Sequence, residues 1–163
     1  MQNQTKILAY LTDRFESRPQ SASAVPLLNG TEYVNLCTHP EVIERLWWGL
    51  SATLPENCCD IMYGTPVLRH PRSGLIFAIG LGTYYALGIS SRMLKEVQFE
   101  ENDFVRVGYV NYKDKKTIDL REIFGPGWIF GNFREAELEW CRAAYEEAGG
   151  PDLDSDTGDT SAI

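Results

Sequence analysis

The chain reads as an α+β domain, an antiparallel β-meander of about five to six strands with helices before and after it, packed on one or both faces. Three observations predict this. Apolar residues recur at helical spacing near both ends of the first 150 residues. Between 58 and 121 the pattern changes to short β-branched and aromatic runs closed by turn residues. Grouping the strands, rather than alternating them with helices, argues for antiparallel pairing.

Residues 5–18 are the first expected helix, with Ile7, Leu8, Leu11 and Phe15 along one stripe. SRPQSASAVP then breaks it as a loop or hinge, and TEYVNL reads as a short strand. Thr38 and Glu41 have the spacing of a capping box for a second helix. Its Ile43, Leu46, Trp47, Leu50 and Leu54 fall within about 100° of arc at 100° per residue. Pro55 closes that helix, and Trp48 lies off its stripe. CCDIMYG, TPVLRH, LIFAIGL, YYALGI, FVRVGYVNY and TIDLR are the expected strands, with HPRSG and YKDKKT as hairpin loops. SSRMLKEV, 90–97, reads as a short helix, and FGPGWIFGN as a glycine-aromatic loop whose Pro126-Gly127 suits a type II turn. In the last helix Asn132 is the expected cap, with Glu135 at the box position. Leu138, Cys141, Tyr145 and Ala148 are its apolar stripe, and Gly149-Gly150-Pro151 ends it.

LIFAIGLGTYYALGIS, 75–90, carries three glycines after an apolar run. A dinucleotide loop needs G-x-G-x-x-G before a helix, and here the third glycine comes three residues late. No lysine follows to make a P-loop. A two-residue turn at Gly82-Thr83 explains the stretch instead, because a type II′ turn takes glycine first. It pairs Leu81–Tyr84, Gly80–Tyr85, Ile79–Ala86, Ala78–Leu87, Phe77–Gly88 and Ile76–Ile89, setting Tyr85 over Gly80 and Phe77 over Gly88. Such a hairpin, apolar on both faces, belongs at the centre of the sheet.

The chain has 163 residues, which suits one domain over 1–150 followed by a disordered acidic tail at 151–163. The tail's four aspartates make up half of the net charge of −8. Clustered lysine and arginine of the kind nucleic acid needs are absent, the densest groups being KDKK and LRHPR. No run approaches the length of a membrane span, and the first twenty residues hold no continuous apolar signal region. These features imply a cytoplasmic protein that binds neither nucleic acid nor membrane, with Cys37, Cys58, Cys59 and Cys141 reduced.

Chemistry-bearing residues are few. His39 falls in the first turn of a capped helix, where a solvent-facing polar residue is common. Arg69, His70 and Arg72 share the turn RHPRSG, and two guanidinium groups with an imidazole suit a carboxylate or phosphate. Cys58 and Cys59 point to opposite faces of a strand, so they cannot jointly clamp a metal; with Cys141 they read as small buried apolar groups. Glu100, Glu101 and Asp103 read as a solvated loop, and Glu135, Glu137 and Glu139 as complements to a helix dipole. No cofactor motif, metal spacing or catalytic signature is present. Trp48, off its helix stripe, and Trp128 and Phe130, in the aromatic loop, are the expected anchors of a binding surface.

Two functional readings follow. The first is a non-enzymatic module that binds a protein partner through an aromatic patch, its mildly acidic body favouring a basic partner. Inhibitors and toxin-neutralising immunity proteins share this profile at the level of class only. The alternative is a small enzyme or small-molecule binder with an anion site at Arg69, His70 and Arg72, covered by the Trp128 loop.

Overall fold

The computed structural model describes residues 4–16, 38–90, 92–96, 107–111 and 115–150. The expected hinge at 17–26, the strand at 31–36, Cys37, the acidic run at 100–103 and the tail at 151–163 lie outside them. The elements begin with α1 (Gln4–Glu16) and α2 (Pro40–Glu44), the latter continued by a π-helical turn (Arg45–Gly49) and a 3-10 turn (Leu50–Thr53). Then come β1 (Cys59–Met62), β2 (Thr65–Arg69), β3 (Ile76–Leu81) and β4 (Tyr84–Gly88), with a helical turn at 92–96 after them. β5 (Gly108–Asn111), β6 (Lys116–Asp119), α3 (Leu120–Ile123), β7 (Trp128–Phe130) and α4 (Ala136–Gly149) complete the order.

Five strands pair antiparallel in the order β1-β2-β3-β4-β7, so the glycine hairpin is central as expected. Gly82 turns the chain at φ 84°, and the four pairs nearest the turn, Leu81–Tyr84 to Ala78–Leu87, are formed. The ladder stops there, and the expected Phe77–Gly88 and Ile76–Ile89 pairs are not part of it. A bulge is the cause. β2 pairs Leu68 with Ala78 and Arg69 with Ile76, which leaves Phe77 as an extra residue. Phe77 and Ala78 consequently pack in one layer, while Ile76 and Ile79 pack in the other.

Two further expectations are corrected. WIF, read as a loop, is strand β7: Gly127, at φ 94°, turns the chain and its carbonyl accepts from Ile89 N at 2.7 Å. Three residues are too few to give a period-2 signal, so the strand is set by its neighbour β4. β5 and β6 form a separate two-stranded sheet instead of extending the meander.

Both faces of the five-stranded sheet are covered. On one, Ile43, Leu46, Trp47 and Leu50 meet Leu68, Phe77, Leu87 and the α4 residues Cys141 and Ala144. The Trp47 indole also donates to the Val67 carbonyl at 3.0 Å, which fixes α2 against β2. On the other, Ile7 and Leu11 of α1 with Leu120 and Phe124 cover Val67, Ile79, Ala86, Trp128 and Phe130. The Gln4 amide bonds both the N–H and the carbonyl of Ile76, beside the bulge. Leu8, counted in the α1 stripe, is exposed, while Ile7 and Leu11 are buried against the sheet.

The cap of α2 is His39, whose Nδ1 accepts from Glu41 N at 3.1 Å, and not Thr38. Pro40 decides this, since its fixed φ and missing N–H suit the first helical position and place the cap one residue before it. Thr38 instead packs where Gly80 lacks a side chain: a Cβ on Gly80 would lie 3.1 Å from Thr38 Cγ2 and 2.9 Å from Pro66 Cγ. Gly80, paired across the strands with Tyr85 as expected, thus also makes room for Thr38 and Pro66. At the sheet edge, the N–H groups of Cys59 and Ile61 are taken by the side chains of Asn57 and Asp60, which blunts β1 against strand addition.

Gly127 is the glycine whose replacement costs most on two counts, its left-handed φ and a Cβ position 2.6 Å from the Ser90 carbonyl carbon. Gly127→Ala is expected to destabilise by about 2–4 kcal/mol in urea denaturation, with loss of β7 protection in hydrogen exchange. A change below about 0.5 kcal/mol would contradict the assigned turn.

Candidate functional site

A buried carboxylate organises the surface that stands out. Glu137, fully buried in the first turn of α4, accepts from the Tyr85 hydroxyl, from Asn132 N at 2.9 Å, from Phe133 N at 3.1 Å and from Arg134 Nε at 3.2 Å. The Tyr85 hydroxyl lies 2.8 Å from Phe133 N as well. Burial, then the charge of Glu137, pushes the Tyr85 phenol far above its ordinary value, so it stays a donor. Tyr85 reaches this carboxylate by lying over Gly131, where a Cβ would sit 1.8 Å from a ring carbon. The expected cap, Asn132, offers its backbone N–H to Glu137 instead, and α4 starts at Ala136.

The clamp holds Phe133 at φ 50°, a left-handed conformation that a bulky residue rarely adopts. Its ring is 40% exposed, rests on Gly49 and lies 5.6 Å under the Arg45 guanidinium. A Cβ on Gly49 would come within 2.5 Å of that ring. Trp48, on the same π-helical turn, is also 40% exposed and rims a groove of about 420 Å³ with Ala52, Leu54 and Pro55. Phe133 and Arg45 thus meet over Gly49, and Trp48, next to Gly49 in the chain, is exposed at the rim of its own groove. Trp128 and Phe130, expected as anchors with Trp48, are buried in the sheet layer facing α1, because β7 turns both of their side chains into that core.

The basic turn is organised differently. His70 is buried, stacks on Tyr145 at 4.9 Å between centroids, and its Nδ1 accepts from Arg72 N at 3.2 Å and Ser73 N at 3.3 Å. Arg72 pairs with Glu56, which also accepts from the Tyr145 hydroxyl. The Tyr145 hydroxyl first and then the Arg72 guanidinium hold the Glu56 carboxyl below its usual range. Arg69 points elsewhere, to Asp60 at 3.1 Å and to the Gly74 carbonyl. The two guanidinium groups thus meet separate carboxylates, and Trp128 packs in the other layer. Of the residues expected to form an anion site, His70 and Arg72 come together at 3.4 Å, while Arg69 turns to Asp60 and Trp128 packs in the other layer.

No family model, curated protein or solved structure matches this chain.

Among the described residues no group of three His, Cys, Asp or Glu side chains is placed to hold a metal. No helix there is long and apolar enough to cross a membrane. Cys58 and Cys141 are buried free thiols, each pushed up to about 12 by desolvation first. Cys59 is half-buried, bonded to the Trp47 carbonyl at 3.4 Å and raised by desolvation. His39 is exposed and serves as a cap. Phe133 was not singled out from the sequence, Tyr85 was read only as a cover for Gly80, and Glu137, read as a complement to the helix dipole, is instead fully buried. A signal was present for Glu137, which shares a helical stripe with Cys141, Ala144 and Ala148, all buried.

Two expectations follow. Acrylamide should quench Trp48 alone, because Trp47, Trp128 and Trp140 are each at most 7% exposed; the quenchable fraction should vanish in Trp48→Phe. The depressed Glu56 carboxyl contributes stability above its unfolded value of about 4.3 and loses it as pH falls through the lower folded value. The gap in urea midpoint between the native chain and Glu56→Gln should thus be full at pH 7 and shrink in acid. A gap that stays constant down to about pH 2.5 would rule out the pairing.

Proposed function

We propose that this chain is a non-enzymatic interaction module that grips a protein partner through Trp48, Arg45 and Phe133. One observation carries the reading. A bulky residue, Phe133, is kept in a left-handed backbone by a buried carboxylate while its ring faces solvent. Backbone strain and a desolvated charge both cost free energy, and core packing gains little from a ring left 40% exposed. Trp and Arg are the residue types that dominate interface hot spots, and pre-set aromatic rings lose little entropy on docking. Exposed Glu41, Glu44 and Glu135 on the same elements, with the acidic composition, favour a partner with a basic rim. Strand addition at β1 is disfavoured, since Asn57 and Asp60 occupy its outward N–H groups. This makes side-chain anchoring, as in an inhibitor or immunity-type protein, the better mode. The free thiols Cys58, Cys59 and Cys141 among the described residues support a reducing, cytoplasmic setting.

The test is affinity capture from native lysate with the full chain, its Trp48→Ala/Phe133→Ala double variant, and Tyr63→Ala as a control at an exposed hairpin tip. A stoichiometric partner should bind the native chain and the control, and bind the double variant at least about a hundredfold more weakly. Melting of the double variant should stay within a few degrees of the native chain. Absence of any stoichiometric partner, or a partner that the double variant retains, overturns the reading.

A further inference from the structure

A cleft of about 830 Å³ opens between the last turn of α4, the β2–β3 turn, Ile89, Ser90 and the helical turn at 92–96. Its volume is that of a small-molecule site. The stacked rings of His70 and Tyr145 form one wall, and Met93 and Ile89 contribute apolar surface. We propose that this cleft binds an organic cation, an alkylammonium or guanidinium group on a short apolar stem.

Four features point to that class. First, α4 is a fourteen-residue helix whose last turn holds no basic residue, and its C-terminal end lines the cleft. The negative end of a helix dipole favours a cation, and here Glu146 and Glu147 add like charge. Second, the arginines that line the cleft are already compensated, Arg72 by Glu56 and Arg92 by Glu96 at 3.8 Å. Glu146 is shared with Arg142 outside the lining, and Glu147 forms no ion pair among the described residues. The cleft therefore carries net negative charge. Third, Met93 and Ile89 give the cleft apolar surface, and a flexible thioether adapts to an alkyl stem. Fourth, Gly149 is helical with no positive φ, so its backbone does not require glycine. A Cβ there would lie 2.7 Å from His70 Nε2. The missing side chain lets the imidazole seat against the end of α4 and so shapes the wall.

This site is separate from the Trp48 face, and its test does not depend on a protein partner. The probe is putrescine, titrated into the full chain with amide chemical shifts as the readout. Butanediol and succinate, of the same chain length, are the neutral and anionic controls at matched ionic strength. Putrescine should shift Ser90, Met93, Glu147 and Gly149 saturably, and the controls should not. Glu147→Gln should weaken binding about tenfold. Glu139→Gln, the same charge change at an exposed position in the first turn of α4, should leave it unchanged. With no probe present, Glu147→Gln should melt slightly higher, since it removes like charge from the helix end. That sign separates lost binding from lost folding. The proposal fails if succinate binds in putrescine's place, if shifts do not saturate, or if both variants weaken putrescine equally.

Discussion

The buried carboxylate of Glu137 is the interaction on which much of this architecture rests. A charge removed from water is tolerated only when its lone pairs are filled, and a carboxylate offers about four acceptor positions. Here they are met by a phenol from β4, two backbone N–H groups from the segment after β7, and a guanidinium from the turn before α4. Hydrogen bonds to a charged group are worth about 1.5–3 kcal/mol each, and leaving one donor unmet costs a similar amount. The set therefore acts as one unit. It docks α4 on the sheet, closes the turn out of β7 and fixes the backbone of Phe133. Tyr85 can reach in because Gly131 leaves space for its ring.

The sheet serves two cores at once, and the bulge at Phe77 makes this possible. A regular strand would alternate Phe77 and Ala78 between the faces. The extra residue sends both to the layer under α2 and α4, where Phe77 packs edge-on against Tyr145. Ile76 and Ile79 then serve the layer under α1. The backbone beside the bulge is not left unpaired, for the Gln4 amide fills it. One irregularity thus joins α1 to one face and helps seat α4 on the other.

Charge in this protein is mostly spent on local closure. Arg69 with Asp60, Arg72 with Glu56, and Arg121 with Asp119 each join turn or strand-end residues. Exposed pairs of this kind add little stability, typically below about 1 kcal/mol. Their geometric effect is to tie the ends of neighbouring turns and strands together. That is why a basic turn, attractive as an anion site in the sequence, becomes a brace. The two proposed sites draw on other groups, aromatic rings on one surface and the acidic end of α4 on another.

The α+β class, the central hairpin with its turn at Gly82, the four pairs next to it, the exposure of Trp48 and the glycine end of α4 were all legible in the sequence. Each depends on near neighbours in the chain: a turn residue, a helical or strand period, a C-terminal glycine. The short strand β7, the bulge, the cap at His39 in place of Thr38, and the burial of Trp128 and Phe130 were not. These were decided by partners far away in sequence, since a three-residue strand or a shifted pair has no period of its own. The candidate surfaces divide in the same way. Trp48 was visible as an outlier on its helix, but its companion Phe133 was not, because what exposes that ring is the Tyr85 hydroxyl, 48 residues away in the chain, together with the Glu137 carboxylate. The sequence alone determined which local pieces form. The tertiary structure decided which side chains face water, because burial is shared between elements that no local pattern connects.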